Sequence, residues 1–159
     1  MEKARANMTM SETRTERPCR RVFAALDGSE DTMRIAMRAA CIAEDEGAAL
    51  RFGHVVDALP ADASAANHDM LAESVKQRLR EELADVLAQA AESTRIPSVE
   101  LHVAAGPVKQ TLTDRLIAPW GPDVVICGSR DLSKLRYAML GSVSAHLVRT
   151  LRCNVLVVK

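Results

Sequence analysis

Two polar segments of this chain have residue types and spacing suited to chemistry. Asp27-Gly28-Ser29 follows one short apolar run, and Gly128-Ser129-Arg130-Asp131 follows another. From Asp131 the chain passes through Lys134 and Arg136 to Gly141-Ser142, directly before a stretch with helical spacing. Free backbone N–H groups at such a helix start, the helix dipole and the Ser142 hydroxyl together make an anion site. Gly128, at a strand end, lets a ligand approach the backbone closely, while Arg130, Lys134 and Arg136 add positive charge. This chemistry suits a phosphate-bearing ligand, although glycine before a helix also serves ordinary turns. The pattern is not a Walker loop, because no Gly-Lys-Ser/Thr follows a glycine-rich stretch. Nor is it the dinucleotide fingerprint, because Gly28 has no partner glycines.

Other reactive residue types have simpler explanations. Ser29 lacks a Gly-x-Ser-x-Gly elbow and a histidine base, so a helix N-cap explains it better than a nucleophile. Ser142 reads as a cap or a phosphate donor. No general base for attack on a γ-phosphate can be named, so no catalytic residue is assigned and slow hydrolysis is the most to expect. His54, His102 and His146 lack convergent ligand spacing and read as structural or surface residues. Asp27 and Asp57 both end strands and with Asp131 would make a cation site, one form of which is an acidic phosphoacceptor pocket. That reading ranks below the anion site, since paired acids after strand one and a later lysine are not evident. Cys19, Cys41, Cys127 and Cys153 contain no Cys-x-x-Cys pair, and the last three sit in apolar runs as core fillers.

The elements that position these residues alternate. Val22 to Leu26 is a nearly continuous apolar run, the mark of a strand buried on both faces. Met33, Ala36, Met37, Ala40 and Ala43 recur at helical spacing until Gly47 closes the helix. Ala48 to Val56 predicts a second strand, and Met70 to Glu92 one long amphipathic helix whose stripe is Leu71, Val75, Leu79, Leu83, Val86, Leu87 and Ala90. After Pro97, Val99 to Val103 alternates like an edge strand. Gly106-Pro107 opens a helix with Pro at its first position, containing Val108, Leu112, Leu116 and Ile117. Val124 to Ile126 is a fourth strand, Ser142 to Leu151 a helix and Val155 to Val158 a fifth strand.

This order predicts an α/β fold, a doubly wound five-stranded parallel sheet with helices on both faces. Ligands of such sheets bind beyond the carboxyl ends of strands where strand order reverses. With strand order 3-2-1-4-5 that point lies between strands one and four, where the two polar segments meet. Residues 1–20 lack periodicity and read as a disordered tail, and residues 21–159 as one domain.

Composition narrows the function classes. The 159 residues are 48% apolar and only 3% aromatic, which leaves little material for stacking bases. Lys plus Arg and Asp plus Glu both count 21, so no global field favours nucleic acid or a membrane surface. No apolar run reaches the roughly 18 residues of a membrane span, and residues 1–20 show no signal-peptide segment. The expectation is a cytoplasmic protein.

From Arg21 to Lys159 the sequence resembles the universal stress protein family. Members that bind ATP show Gly-x2-Gly-x9-Gly-Ser/Thr after strand four, and Gly128, Gly141 and Ser142 match with the nine-residue spacing intact. Asp27-Gly28-Ser29, His54-Val55-Val56-Asp57, Gly106-Pro107 and the Cys153 to Val158 ending match in style, with Asn154 where Pro is common. The resemblance implies that Asp27 contacts ribose and that Val55 meets adenine through its backbone. It implies that Gly128 borders ribose and phosphates, and that Gly141, Ser142 and Val143 hold phosphate oxygens. Ala25, Cys127, Arg130 and Asp131 complete the predicted set. It also implies homodimers through the last strand, Val155, Leu156, Val157 and Val158, whose unpaired edge seeks a partner.

One position departs from the motif. Asp131 stands at its second glycine. Aspartate tolerates positive φ better than most residues, but its charge at about 5 Å from a phosphate costs about 3 kcal/mol per charge pair at an effective dielectric near 20. That is over a hundredfold in affinity unless Arg130 or Lys134 covers the carboxylate or Mg²⁺ bridges Asp131 to the phosphates. Two readings follow. The first is a dimeric stress-response or signalling module that binds ATP, ADP or AMP and thereby tunes the choice of an unknown protein partner. The alternative is a dimeric interaction protein that uses no nucleotide.

Overall fold

The computed structural model describes residues 18–57, 65–129 and 140–159. Five strands, β1 (Arg21–Leu26), β2 (Ala49–Asp57), β3 (Val99–Gly106), β4 (Val124–Gly128) and β5 (Asn154–Val158), form one sheet in the order β3-β2-β1-β4-β5. Every neighbouring pair is parallel. The expected doubly wound sheet is therefore the observed one, with β3 at an edge and the order reversing between β1 and β4.

The continuous apolar run of β1 follows from its central place. Val22, Ala24 and Leu26 point into one core, shared with α1 (Thr32–Glu46), α2 (Ala65–Glu82) and α3 (Ala84–Glu92). Phe23 and Ala25 point into the other, under α4 (Val108–Thr111) and α5 (Ser142–Thr150). Successive side chains of a strand alternate between faces, so a strand covered twice cannot alternate in polarity. The tip of the Phe23 ring meets β2 at Gly53, where a Cβ would sit 2.2 Å from its Cζ.

Several elements differ in detail from the sequence expectation. The helix expected over Met70–Glu92 is two, meeting at Leu83, whose ψ of 12° opens the turn. Leu83 still donates to the Leu79 carbonyl and accepts from Leu87, both at 2.9 Å, so the buried stripe continues through the bend. Leu71 falls outside that stripe and is exposed. In α1 the buried face is Ile35, Ala36, Ala39 and Ala43, while Met37 is 55% exposed. Of the set expected from the spacing, Ala36 and Ala43 are on this face and Met37 is not, because the sheet selects Ile35 and Ala39 among the alternative apolar positions. Gly47 ends α1 in the left-handed conformation at φ 67°, with the Gly47 and Ala48 amides closing on Glu44 and Ala43.

After Pro107, the N-cap of α4, the helix widens into π geometry over Leu112–Ile117. The Thr113 hydroxyl supports that register by donating to the Lys109 and Gln110 carbonyls at 3.0 and 3.2 Å. Cys41 is exposed rather than a core filler, whereas Cys127 is buried and Cys153 half-buried. Ahead of β1, Cys19 packs against the core and the Arg20 and Arg21 amides donate to the Asp123 carboxylate at 2.8 and 3.0 Å. This clasp ties the start of β1 to the residue before β4 and holds the two central strands in register.

Candidate functional site

Beyond the carboxyl ends of β1, β2 and β4 lies a cavity of about 640 Å³, a size typical of small-molecule sites. β1 contributes Ala25 and the following Asp27, β2 contributes His54 to Asp57, and β4 contributes Cys127 and Gly128. The first turn of α5 adds Gly141, Ser142, Val143 and Ser144. Eight of the ten sequence-predicted site residues thus share one cavity: Ala25, Asp27, Val55, Cys127, Gly128, Gly141, Ser142 and Val143. Arg130 and Asp131 lie outside the described residues.

Among the described residues the start of α5 has no side-chain cap, and Gly141 is its N-cap. The first intrahelical bond is Ala145 N–H to the Gly141 carbonyl at 2.8 Å, which leaves the Ser142, Val143 and Ser144 amides at an uncapped helix start. Ser144, 3% exposed, donates its hydroxyl to the Gly128 carbonyl at 3.0 Å. The helix start is thereby fastened to the end of β4.

The Asp27 carboxylate is oriented rather than loose. Its Oδ1 accepts from the Ser29 amide at 3.0 Å and the Ser29 hydroxyl at 2.6 Å. The N-cap of α1 is Asp31 rather than Ser29, and the Ser29 hydroxyl has two tasks: it accepts from the Asp31 amide at 3.2 Å just ahead of the helix and donates to Asp27. Gly28 turns with φ 73°, and the ring of His54 fills the space beside it. His54 Nδ1–H donates to the Leu26 carbonyl at 2.9 Å, since a carbonyl only accepts.

β2 outruns β1. Their register ends with Leu26 opposite His54, so Val55, Val56 and Asp57 have no strand partner on that side. Their backbone groups there face the cavity while the opposite edge pairs with β3. Cys127 forms part of the floor. Burial, then the nearby Asp27 charge, pushes its thiol pKa up to about 11, so it stays protonated at neutral pH and is a weak nucleophile. Gly128 has a packing reason as well as a ligand reason: a Cβ there would lie 2.9 Å from Ile35 Cδ1.

The cavity walls hold residues that sequence reasoning missed. Arg78 and Val75 reach it from α2, and Pro107, Val108, Lys109 and Leu112 from α4 and its π-helical extension. Only the i, i+3 spacing of Val75 and Arg78 hinted that they share a flank. No group of three or more His, Cys, Asp or Glu among the described residues is placed to hold a metal ion.

The family model of the universal stress protein family matches residues 18–159. The chain belongs to the universal stress protein family. A relative from Staphylococcus haemolyticus that carries the same family name is 26% identical over 138 residues, 87% of this chain and 83% of the relative. The fold is similar to that of the universal stress protein UspA from Lactobacillus plantarum, with TM-score 0.69 and 22% identity over 90% of this chain and 99% of that one. It is also similar to a universal stress protein solved in complex with cAMP, at TM-score 0.65 and 24% identity over 89% and 98% of the two chains. A third likeness is the Archaeoglobus fulgidus universal stress protein in complex with dAMP, at TM-score 0.56 and 16% identity over 89% and 98%. In this universal stress protein the cavity lies at the switch point of the sheet, between β1 and β4.

Proposed function

We propose that the cavity binds an adenine nucleotide (ATP, ADP or AMP) and that the protein is a binding module rather than an enzyme. The observation that carries this reading is the convergence of the braced Asp27 carboxylate, the unpartnered β2 backbone at Val55 and the uncapped α5 start on one cavity. Ribose hydroxyls suit a fixed carboxylate acceptor, an adenine edge suits paired backbone donors and acceptors, and phosphate suits helix amides. Solved relatives in complex with cAMP and dAMP support the same ligand class.

The test is mass spectrometry of small molecules released from gently purified protein, followed by calorimetric titration with ATP and Mg²⁺, ADP and AMP. Nucleotide at about one per chain supports the reading. No released nucleotide together with no heat on titration removes it, and the dimeric interaction protein then leads. Asp131→Gly refines the test: ATP affinity rises in low salt if the carboxylate repels phosphate, and equal affinity removes the repulsion argument.

The assembly proposed is a homodimer through β5, in a cytoplasmic protein whose nucleotide occupancy alters its choice of partner. Among the described residues β5 pairs only with β4, and Leu156 on it is 39% exposed. Light scattering of Leu156→Lys against the parent chain checks this. A shift from dimer to monomer supports the interface, and a parent chain that is already monomeric at micromolar concentration removes it.

A further inference from the structure

Charged groups around the cavity are sorted by position. The acids Asp27 and Asp57 sit at the ends of β1 and β2, on the floor. The cations Arg78 and Lys109 sit on the two helical walls, one on α2 over the first face of the sheet and one on α4 over the second. Both side chains are exposed, and neither makes an ion pair or hydrogen bond within the described structure. A long cationic side chain commonly finds a carboxylate on its own helix, as Arg34 does with Asp31 at 2.7 Å. Arg78 and Lys109 keep their charge for the cavity mouth. The α5 start also lines the cavity, and its dipole has the same sign. Low-dielectric walls that flank a positive opening focus its field onto an entering anion.

Resting on the nucleotide reading above, we infer that Arg78 and Lys109 are specificity-determining residues that favour nucleotides of high negative charge over uncharged nucleosides. The floor groups recognise the nucleoside part, which ATP and adenosine share. The wall cations act on the part that differs.

The experiment compares ATP and adenosine affinities of the full chain with those of R78Q/K109Q, by calorimetry at low and high salt. The expected result is a fall of about tenfold in the ATP-to-adenosine affinity ratio, the lower end of electrostatic focusing effects. A flatter salt dependence of ATP binding should accompany it. R78K/K109R, which keeps both charges, should restore most of the ratio. Circular dichroism and the thermal midpoint show that each variant is folded. A ratio and salt slope unchanged in R78Q/K109Q overturn this inference and leave the nucleotide reading standing. A parent chain that binds neither ATP nor adenosine overturns both.

Discussion

The two sides of the cavity are built on different terms. Its strand-end side is core: Ala25 and Val55 are buried, Cys127 is 3% exposed, and Gly128 lies under Ile35. Its helical side is surface, with Arg78 and Lys109 exposed and without an ion pair among the described residues. On the strand-end side one atom serves packing and site geometry together, so substitutions there change stability and binding jointly. On the helical side charge can change while the fold stays intact. The lesson is that a residue lining a cavity is not thereby a ligand residue. Gly128 shows this, because Ile35 alone is reason enough for a glycine.

The largest effect should come from Gly53→Ala, beneath the strand-end side. Its methyl would fall 2.2 Å from the Phe23 ring, which the core holds fully buried. A loss of about 3 kcal/mol, the upper part of the overpacking range, is expected from urea unfolding. Gly128→Ala should cost less, about 1–2 kcal/mol, because the clash is with the far end of Ile35. Ile35→Val removes that Cδ1, so the double variant should recover most of the loss relative to Ile35→Val alone. Absence of such recovery would mean that the glycine serves something other than packing.

Smaller effects separate the two sides chemically. The raised Cys127 thiol means that the unfolded chain loses this proton first, so stability falls as pH rises from about 9 toward about 11. Burial raises Cys19 and Cys153 in the same direction. The comparison is therefore with Cys127→Ala, whose urea midpoint should fall less steeply over that window. Equal slopes would mean the thiol does not sense its burial. The smallest effect is expected on the helical side: R78Q/K109Q should leave the unfolding free energy from urea titration within about 0.5 kcal/mol of the parent, as for surface residues away from packed features. A larger loss would show that this wall, too, is structural.

Much of this was legible in residue order. The apolar run of β1, the helix stop at Gly47 and the glycine-serine pair before α5 each act through their immediate neighbours, by burial on both faces, left-handed φ and unpaired amides. The alternation of strands and helices, with right-handed crossovers, then restricts the topology strongly. Illegible were the choices among equivalent faces. In α1, Met37 and Ile35 are alike to a periodicity argument, and only the sheet beneath selects Ile35. In the helix pair α2 and α3, nothing local marks the bend at Leu83.

By itself, then, the sequence determined the element order, the sheet and the strand ends at which a ligand would sit. Those features depend on short-range backbone preference and on the periodicity of burial. Tertiary structure alone decided the rest of the site. It placed Arg78 and Lys109, 31 positions apart, on opposite walls of one cavity. It made the Ser29 hydroxyl a brace for Asp27 as well as an acceptor ahead of α1, and it extended β2 past β1 so that Val55 has no partner on that strand. These arrangements come from long-range packing of helices on a sheet, which depends on how side chains from distant segments fill a shared volume.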